Sequence, residues 1–383
     1  MTDTFTCRID RMAHGGAGIG HAPDGRVVFV TGAFPGDTVV ARPTKVKKSF
    51  IKAELDDVTS PSPLRVAPAC EAAAAGAGCC DFTALDPAKE LDLKAEILVD
   101  QLRGGDIAKH DLAPHQGWRT RVRFGVDKQG RAGLRKRGSH ELVTGLPCAQ
   151  LPDELNDALL NHTYTPGSEV IAVIDSRGQR HIVESRKVGR GKRVEKIDKV
   201  LEGGTVHARA DGHEFQFPAT AFWQAHVAAP DAYTQLLREW LADYSGDVAW
   251  DLYGGVGLFV PALSESLGGA KVYSVDYSPA ANAASDLDNV EFRQARVEKV
   301  ADQLPAPTVV VLDPPRKGAG KDVIAATAGA HPEAVVHIGC DPATFARDIG
   351  LWAEHGYSVD KLAVFNAFPG THHFETIALL QHS

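Results

Sequence analysis

What most limits the folds open to this chain is a change of pattern at about residue 218. Beyond that point short apolar runs alternate with helical stretches. VAWDLYGG, KVYSVDYS, TVVVLDPPRKG and AVVHIGCDP each read as a strand followed by a turn or loop. Strands and helices in strict alternation predict a doubly wound α/β domain, placed over residues 216–383.

The first half is patterned differently. FTCRID, RVVFV, DTVVARPTKV and FIKAELDDV are short alternating runs separated by the glycine-rich stretches His14–Gly20 and Gly32–Gly36. They predict a small all-β unit within residues 1–58. The Pro- and Ser-rich VTSPSPLRVAP follows as a linker, and then a cysteine-bearing segment, Cys70–Asp81. Residues 83–103 have helical periodicity, with Asp86 as N-cap and Pro87 in the first turn, and this helix is expected to pack on the α/β domain. From Trp118 to about Phe217 short strands and turns return, interrupted by the helical PDELNDALL. A second β-rich domain, over residues 59–215, is the expectation. A chain of 383 residues has room for two or three such units.

Composition excludes some classes. Hydrophobic content of 44% and charged content of 23% are those of a soluble globular protein. No apolar run is long enough to cross a bilayer, and Met1–Asp10 is too polar for a signal peptide, so a cytoplasmic protein without membrane contact is expected. The net charge of −8 speaks against a nucleic-acid partner, but its distribution speaks for one. Arg42, Lys45, Lys47, Lys48 and Lys52 form one basic stretch, Arg119 to Arg137 a second and Arg177 to Lys199 a third, all before residue 200. RNA is the expected partner, with solvated strand faces as the plainer alternative. Nothing in the sequence demands more than a monomer.

Candidate site residues cluster at the ends of the C-terminal strands. DLYGGVG closes the first, where glycines let a ligand approach the backbone, and some 20 residues later a strand ends in Asp276, placed to take ribose hydroxyls. The spacing is not the GxGxxG of a dinucleotide site, so a mononucleoside such as S-adenosyl-L-methionine fits better. Asp313 ends another strand and is followed by two prolines that stiffen the loop. Cys340 ends a fourth, facing the same crevice as Tyr253, Asp276 and Asp313, where a reactive thiol rather than a buried one is expected. His372, His373 and Glu375 precede the closing strand.

Phe222-Trp223-Gln224, DLYGGVG, DPPRKG, CDPATFARD and His373-Phe374-Glu375, in that order, resemble the RNA uracil-5-methyltransferase family, whose members modify tRNA or ribosomal RNA. The N-terminal residues resemble the TRAM module, a small RNA-binding β-barrel. The resemblance covers nearly the whole chain. It implies that Cys340 adds to carbon 6 of uracil and that Glu375 removes the carbon 5 proton. Gln224, Tyr253, Asp276 and Asp313 would contact S-adenosyl-L-methionine or hold it beside the base. The competing function is an RNA-binding protein with a degenerate, non-catalytic methyltransferase domain; retention of Cys340, Asp313 and Glu375 together argues against it.

The chain departs from the family twice. Many members hold a 4Fe-4S cluster through a cysteine, a second six residues on, a third three beyond, and a distant fourth. Here Cys70 and Cys148 take the outer places, Gly76 stands at the second and Cys79 at the third, with Cys80 adjacent. Cys70, Cys79, Cys80 and Cys148 are thus the candidate ligands, the alternative being packed thiols in a degenerate site. After the third strand, where the family places an Asp or Asn near the adenine, this chain reads Glu291 to Arg296, and that contact is left unassigned.

Overall fold

The apolar runs of the C-terminal half assemble into one eight-stranded sheet. Its order is Val290–Gln294, Lys271–Asp276, Val248–Leu252, Val309–Leu312, Ala334–Gly339, Glu375–His382, Tyr357–Asn366 and Ala108–Asp111. The computed structural model describes residues 4–190, 193–279 and 289–382; Lys192 of the third basic stretch lies outside them. The first five strands run parallel. Successive residues of Val309–Leu312 serve opposite faces: Val309 and Val311 join the core with Leu237 and Val260, Val310 and Leu312 the core with Leu98 and Trp352. Burial on both faces is why these strands read as unbroken apolar runs.

Glu375–His382 enters antiparallel to both neighbours, so it begins at the edge where the parallel strands end. Ala108–Asp111, from the first half of the chain, closes the sheet parallel to Tyr357–Asn366. Four residues with no apolar alternation carry no strand signal; Asn366 Nδ2 donates to Asp111 Oδ1 at 2.9 Å and helps fix the pairing.

The helix Pro87–Leu102 starts at Asp86, whose side chain accepts from the Ala88 amide, with Pro87 in the first turn. It packs on the helix Pro342–Glu354 and the strand Tyr357–Asn366. Its buried face includes two charges. Lys94 Nζ donates to Glu90 Oε1 at 2.5 Å, to Asn366 Oδ1 at 2.6 Å and to the Phe368 carbonyl at 3.3 Å. The Glu90 carboxylate also accepts the Gly370 amide. The pair therefore clamps the segment that leads into the closing strand.

Upstream, Phe5–Met12, Ala17–His21, Val27–Thr31, Phe50–Ser60 and Thr38–Val46 close into a barrel around Ile9, Val28, Val30 and Val39. Cys7 packs in that core. The buried Asp37 ties the barrel to the linker, accepting from the Phe34 and Ser62 amides and from Arg65. Gly16 docks against the C-terminal segment: a Cβ there would lie 2.7 Å from His372 Cβ and 2.9 Å from Asp81 Oδ2. A six-stranded antiparallel sheet occupies the middle of the chain, ordered Arg193–Glu202, Arg180–Arg190, Glu169–Ile174, Arg121–Val126, Ala132–Arg135, Leu142–Thr144. Among the described residues no helix is long and apolar enough to cross a membrane.

Removing one partner of a buried pair leaves the other uncompensated. Lys94→Ala is expected to cost about 3–5 kcal/mol in urea denaturation, and adding Glu90→Gln to recover part of that loss.

Candidate active site

The turn after Val248–Leu252 is built on backbone that few side chains tolerate. Tyr253, though not glycine, has φ +61°, a left-handed conformation typical of constrained functional turns. At Gly254 a Cβ would meet Asp251 Oδ2 at 2.2 Å and Ser274 Oγ at 2.4 Å, so only glycine fits. Around Gly255 the space a Cβ would occupy is open for 4 Å, leaving that backbone approachable. Asp276 anchors the turn, accepting the Gly255 amide at 3.1 Å and the Ser278 amide at 2.6 Å.

Asp251 and Asp313 lie deeper. Burial raises the Asp251 carboxyl to about 7, against a hydrogen bond from Ser274 Oγ at 2.9 Å. Burial likewise raises Asp313 to about 7; Gln224 Nε2, donating at 3.3 Å, pulls it down, and the charge of Asp276 pushes it further up. Cys340 follows Ala334–Gly339 and precedes Asp341, which caps the helix Pro342–Glu354 by accepting the Thr344 amide. Desolvation raises its thiol to about 12, with Glu375 and Asp313 adding to the rise and Arg316 opposing it. Glu375 opens the closing strand, is 7% exposed, and has no partner on Oε2 among the described residues. Its burial drives the carboxyl well above the ordinary range, and the charge of Asp313 adds to this.

Several of these groups line one cleft of about 570 Å³; Asp251 does not. Gln224, Tyr253, Asp276, Asp313, Cys340 and Glu375, all read from the sequence, share it. Arg119, Phe222, Arg316, Phe368 and His373 line it too. Arg119, Arg316 and Phe368 were not singled out as site residues, because they arrive from a basic run, a loop and a strand end that no motif spacing links. His373 is pushed down to about 3 by burial and by His372 and Arg316, so it is neutral at physiological pH. Nor is the second basic stretch wholly exposed. Arg119 donates to Gln150 Oε1 at 2.8 Å, and Arg121 caps the carbonyls of Ala219, Thr220 and Ala221.

Away from the cleft, Cys70, Cys79, Cys80 and Cys148 converge, with all four sulfurs within 4.8 Å of one another. That Cys79 and Cys80 both turn inward was unexpected for neighbours. A turn at Cys79 makes it possible.

A tRNA (uracil-5-)-methyltransferase family model matches residues 289–383 and a TRAM domain model residues 3–55. An uncharacterized RNA methyltransferase of Corynebacterium efficiens is 53% identical over 98% of this chain and 94% of its own length. Another, from Corynebacterium glutamicum, is 51% identical over 98% and 96%. The chain belongs to the RNA uracil-5-methyltransferase family. The methyltransferase also shares its fold with the Pyrococcus abyssi tRNA (uracil-54, C5)-methyltransferase, solved in complex with S-adenosyl-L-homocysteine. The TM-score is 0.75, at 19% identity over 98% of this chain and 100% of that one. The family model and the RNA methyltransferase relatives together fix the class of this enzyme. It is an S-adenosyl-L-methionine-dependent RNA uracil-5-methyltransferase.

Two outcomes test the cleft of this methyltransferase. Gly254→Ala, by forcing Asp251 and Ser274 apart, should weaken S-adenosyl-L-methionine binding by about tenfold or more in calorimetry, since about 1.4 kcal/mol suffices. Asp313→Asn removes a charge that holds the Cys340 thiol up. At pH 8.5, where Asp313 is ionised, the variant should alkylate at Cys340 several-fold faster than the parent, as read by mass spectrometry. At pH 6, where Asp313 is already largely protonated, the two rates should converge.

Proposed function

We propose that the enzyme methylates carbon 5 of a specific uridine in tRNA or ribosomal RNA through a transient bond between Cys340 Sγ and carbon 6 of the base. The observation that carries this reading is the meeting of Cys340 and Glu375, from two different strand ends, in the cleft that also holds Asp313. Binding alone would need none of the three, which disfavours a degenerate RNA-binding protein.

Carbon 5 of uracil is a weak nucleophile. Addition of the Cys340 thiolate to carbon 6 gives carbon 5 enolate character, and carbon 5 then takes the methyl group. S-adenosyl-L-methionine supplies that methyl and a positive charge. In this reading Asp276 takes the ribose hydroxyls, Tyr253 lines the cleft beside the glycine turn, and Gln224, which donates to Asp313, keeps that carboxyl oriented. Glu375 removes the carbon 5 proton, the carbon–sulfur bond breaks, and Cys340 is freed. Burial holds the Cys340 thiol near 12 and Glu375 well above the ordinary carboxyl range, and positive charge beside them would lower both. Arg316 already acts in that direction on both.

The target uridine must leave any stack to reach this depth, at a cost of a few kcal/mol by general estimate. The barrel within residues 1–58 and the β-rich region 59–215 are read as the RNA-binding units that offset this cost, with residues 216–383 as the methyltransferase domain. Lys45, Lys47 and Lys48 on the barrel and Arg123, Arg135, Lys136 and Arg137 on the central sheet are exposed, as phosphate contacts require. Recognition of a single-stranded loop by shape accords with this arrangement.

The test uses methyl-labelled S-adenosyl-L-methionine and total RNA from a strain lacking the gene. Label is expected in 5-methyluridine, and the labelled pool, tRNA or ribosomal, identifies the substrate; label in another nucleoside overturns the Cys340 chemistry. Cys340→Ala should bind RNA and cofactor but give neither product nor adduct. Glu375→Gln should halt after methyl transfer and accumulate a protein–RNA adduct that survives a denaturing gel.

A further inference from the structure

The family's 4Fe-4S cluster does not suit the cysteine set of this chain. In such a cluster each cysteine sulfur stands on its own iron, which holds the sulfurs about 6 Å apart. Here Cys70 and Cys79 sulfurs are 3.8 Å apart, Cys80 and Cys148 3.9 Å, and Cys70 and Cys148 4.0 Å, with none of the four more than 4.8 Å from another. Bonds of about 2.3 Å from one central ion in a tetrahedron place thiolate sulfurs about 3.8 Å apart. We propose that Cys70, Cys79, Cys80 and Cys148 form a mononuclear tetrahedral site for Zn²⁺ in place of an iron–sulfur cluster.

The chain arranges this set in a way a single small ion tolerates. Cys70 precedes the short helix Glu71–Ala74, Cys79 and Cys80 follow the turn after it, and Cys148 comes from a loop of the central region. Two consecutive residues reach one centre because Cys79 lies in a turn, where side chains need not alternate as they do along a strand. Cys70 and Cys148 are 1% exposed and Cys80 3%, packed among Ala72, Ala77 and Leu151. Polar groups hold the ligands in place, as metal sites require. The Cys70 amide donates to Thr83 Oγ1 and the Cys148 amide to Asn156 Oδ1, both at 2.9 Å. Zn²⁺ would displace the four thiol protons, leaving a net charge of −2 on the site. The guanidinium of Arg119 faces Cys148, Cys79 and Cys80 and opposes that charge.

The site also stands behind the wall of the cleft. Gln150 bridges the Cys79 carbonyl to Arg119, which lines the cleft. Asp81, next to Cys80, accepts the His372 amide at 3.1 Å, and the Phe82 amide donates to the Gly370 carbonyl at 2.9 Å. A zinc ion here braces the segment Gly370–Glu375 without any redox role.

The test is made on untagged, full-length protein purified without oxygen from cells supplied with both iron and zinc. About one zinc per chain is expected, with no acid-labile sulfide and no broad visible absorbance. Exchange with Co²⁺ should give the ligand-field bands of tetrahedral cobalt–thiolate. Cys79→Ser, at the least buried ligand, should weaken metal binding by about tenfold or more in chelator competition and shift those bands. Iron with matching sulfide in the purified chain overturns the proposal. So does protein free of metal that fails to take up Zn²⁺ or Co²⁺. The metal and sulfide count on the unmodified chain decides even where the variant is insoluble.

Discussion

Four carboxyl groups, Asp251, Asp276, Asp313 and Glu375, are gathered at one end of one sheet, and the cost of keeping them there governs the local design. Like charges in a half-dry cleft repel, and each loses hydration. The structure offsets this group by group. Ser274 donates to Asp251, the amides of Gly255 and Ser278 to Asp276, and Gln224 to Asp313. Among the described residues one Glu375 oxygen has no partner, and the exposed Arg316 is the opposing charge. Two of the four, Asp251 and Asp313, are raised by burial to about 7, so each is poised between its acid and its carboxylate near neutral pH. Desolvation first, and then Glu375 and Asp313, hold the Cys340 thiol up, which couples it to the charges around it.

Strand direction brings these groups together. Parallel strands deliver their last residues to one edge, so Leu252, Asp276, Leu312 and Gly339 end side by side. An antiparallel strand inserted among them begins where they end, which puts Glu375 beside Cys340 although 34 residues separate them in number. The segment before Glu375 is then braced by the first half of the chain. Glu90 and Lys94 hold Phe368 and Gly370, and Asp81 holds His372. His14 of the barrel meets Asp341, the residue after Cys340, at 3.1 Å. The added units therefore reach the edge where the parallel strands end as well as enlarging the surface.

Much of this was legible in residue order. The apolar runs that end in DLYGG, VD, LDPP and GCDP announce both the strands and the polar residues at their tips, because a parallel strand buried on both faces has only its ends free for polar side chains. The barrel was equally plain from alternation and glycine turns. Other features carry no local signal. Ala108–Asp111 is a strand only because Tyr357–Asn366 presents an edge to it. Arg121 reads as RNA-facing but is drawn inward by three carbonyls, and burial lowers its guanidinium to about 10. Lys94 reads as the polar side of a helix and is fully buried.

The sequence by itself determined the strand-and-helix alternation, the identity of the turn residues and the supply of reactive side chains, since propensity, periodicity and backbone sterics act over a few neighbours. Only the tertiary structure decided which of those side chains share a medium. Whether a carboxyl is near 7 or ionised, whether Cys340 is thiol or thiolate, and whether four cysteines stand 4 or 6 Å apart depend on groups brought from distant parts of the chain. Desolvation and charge–charge interaction are set by distance in space, and residue order does not contain that distance.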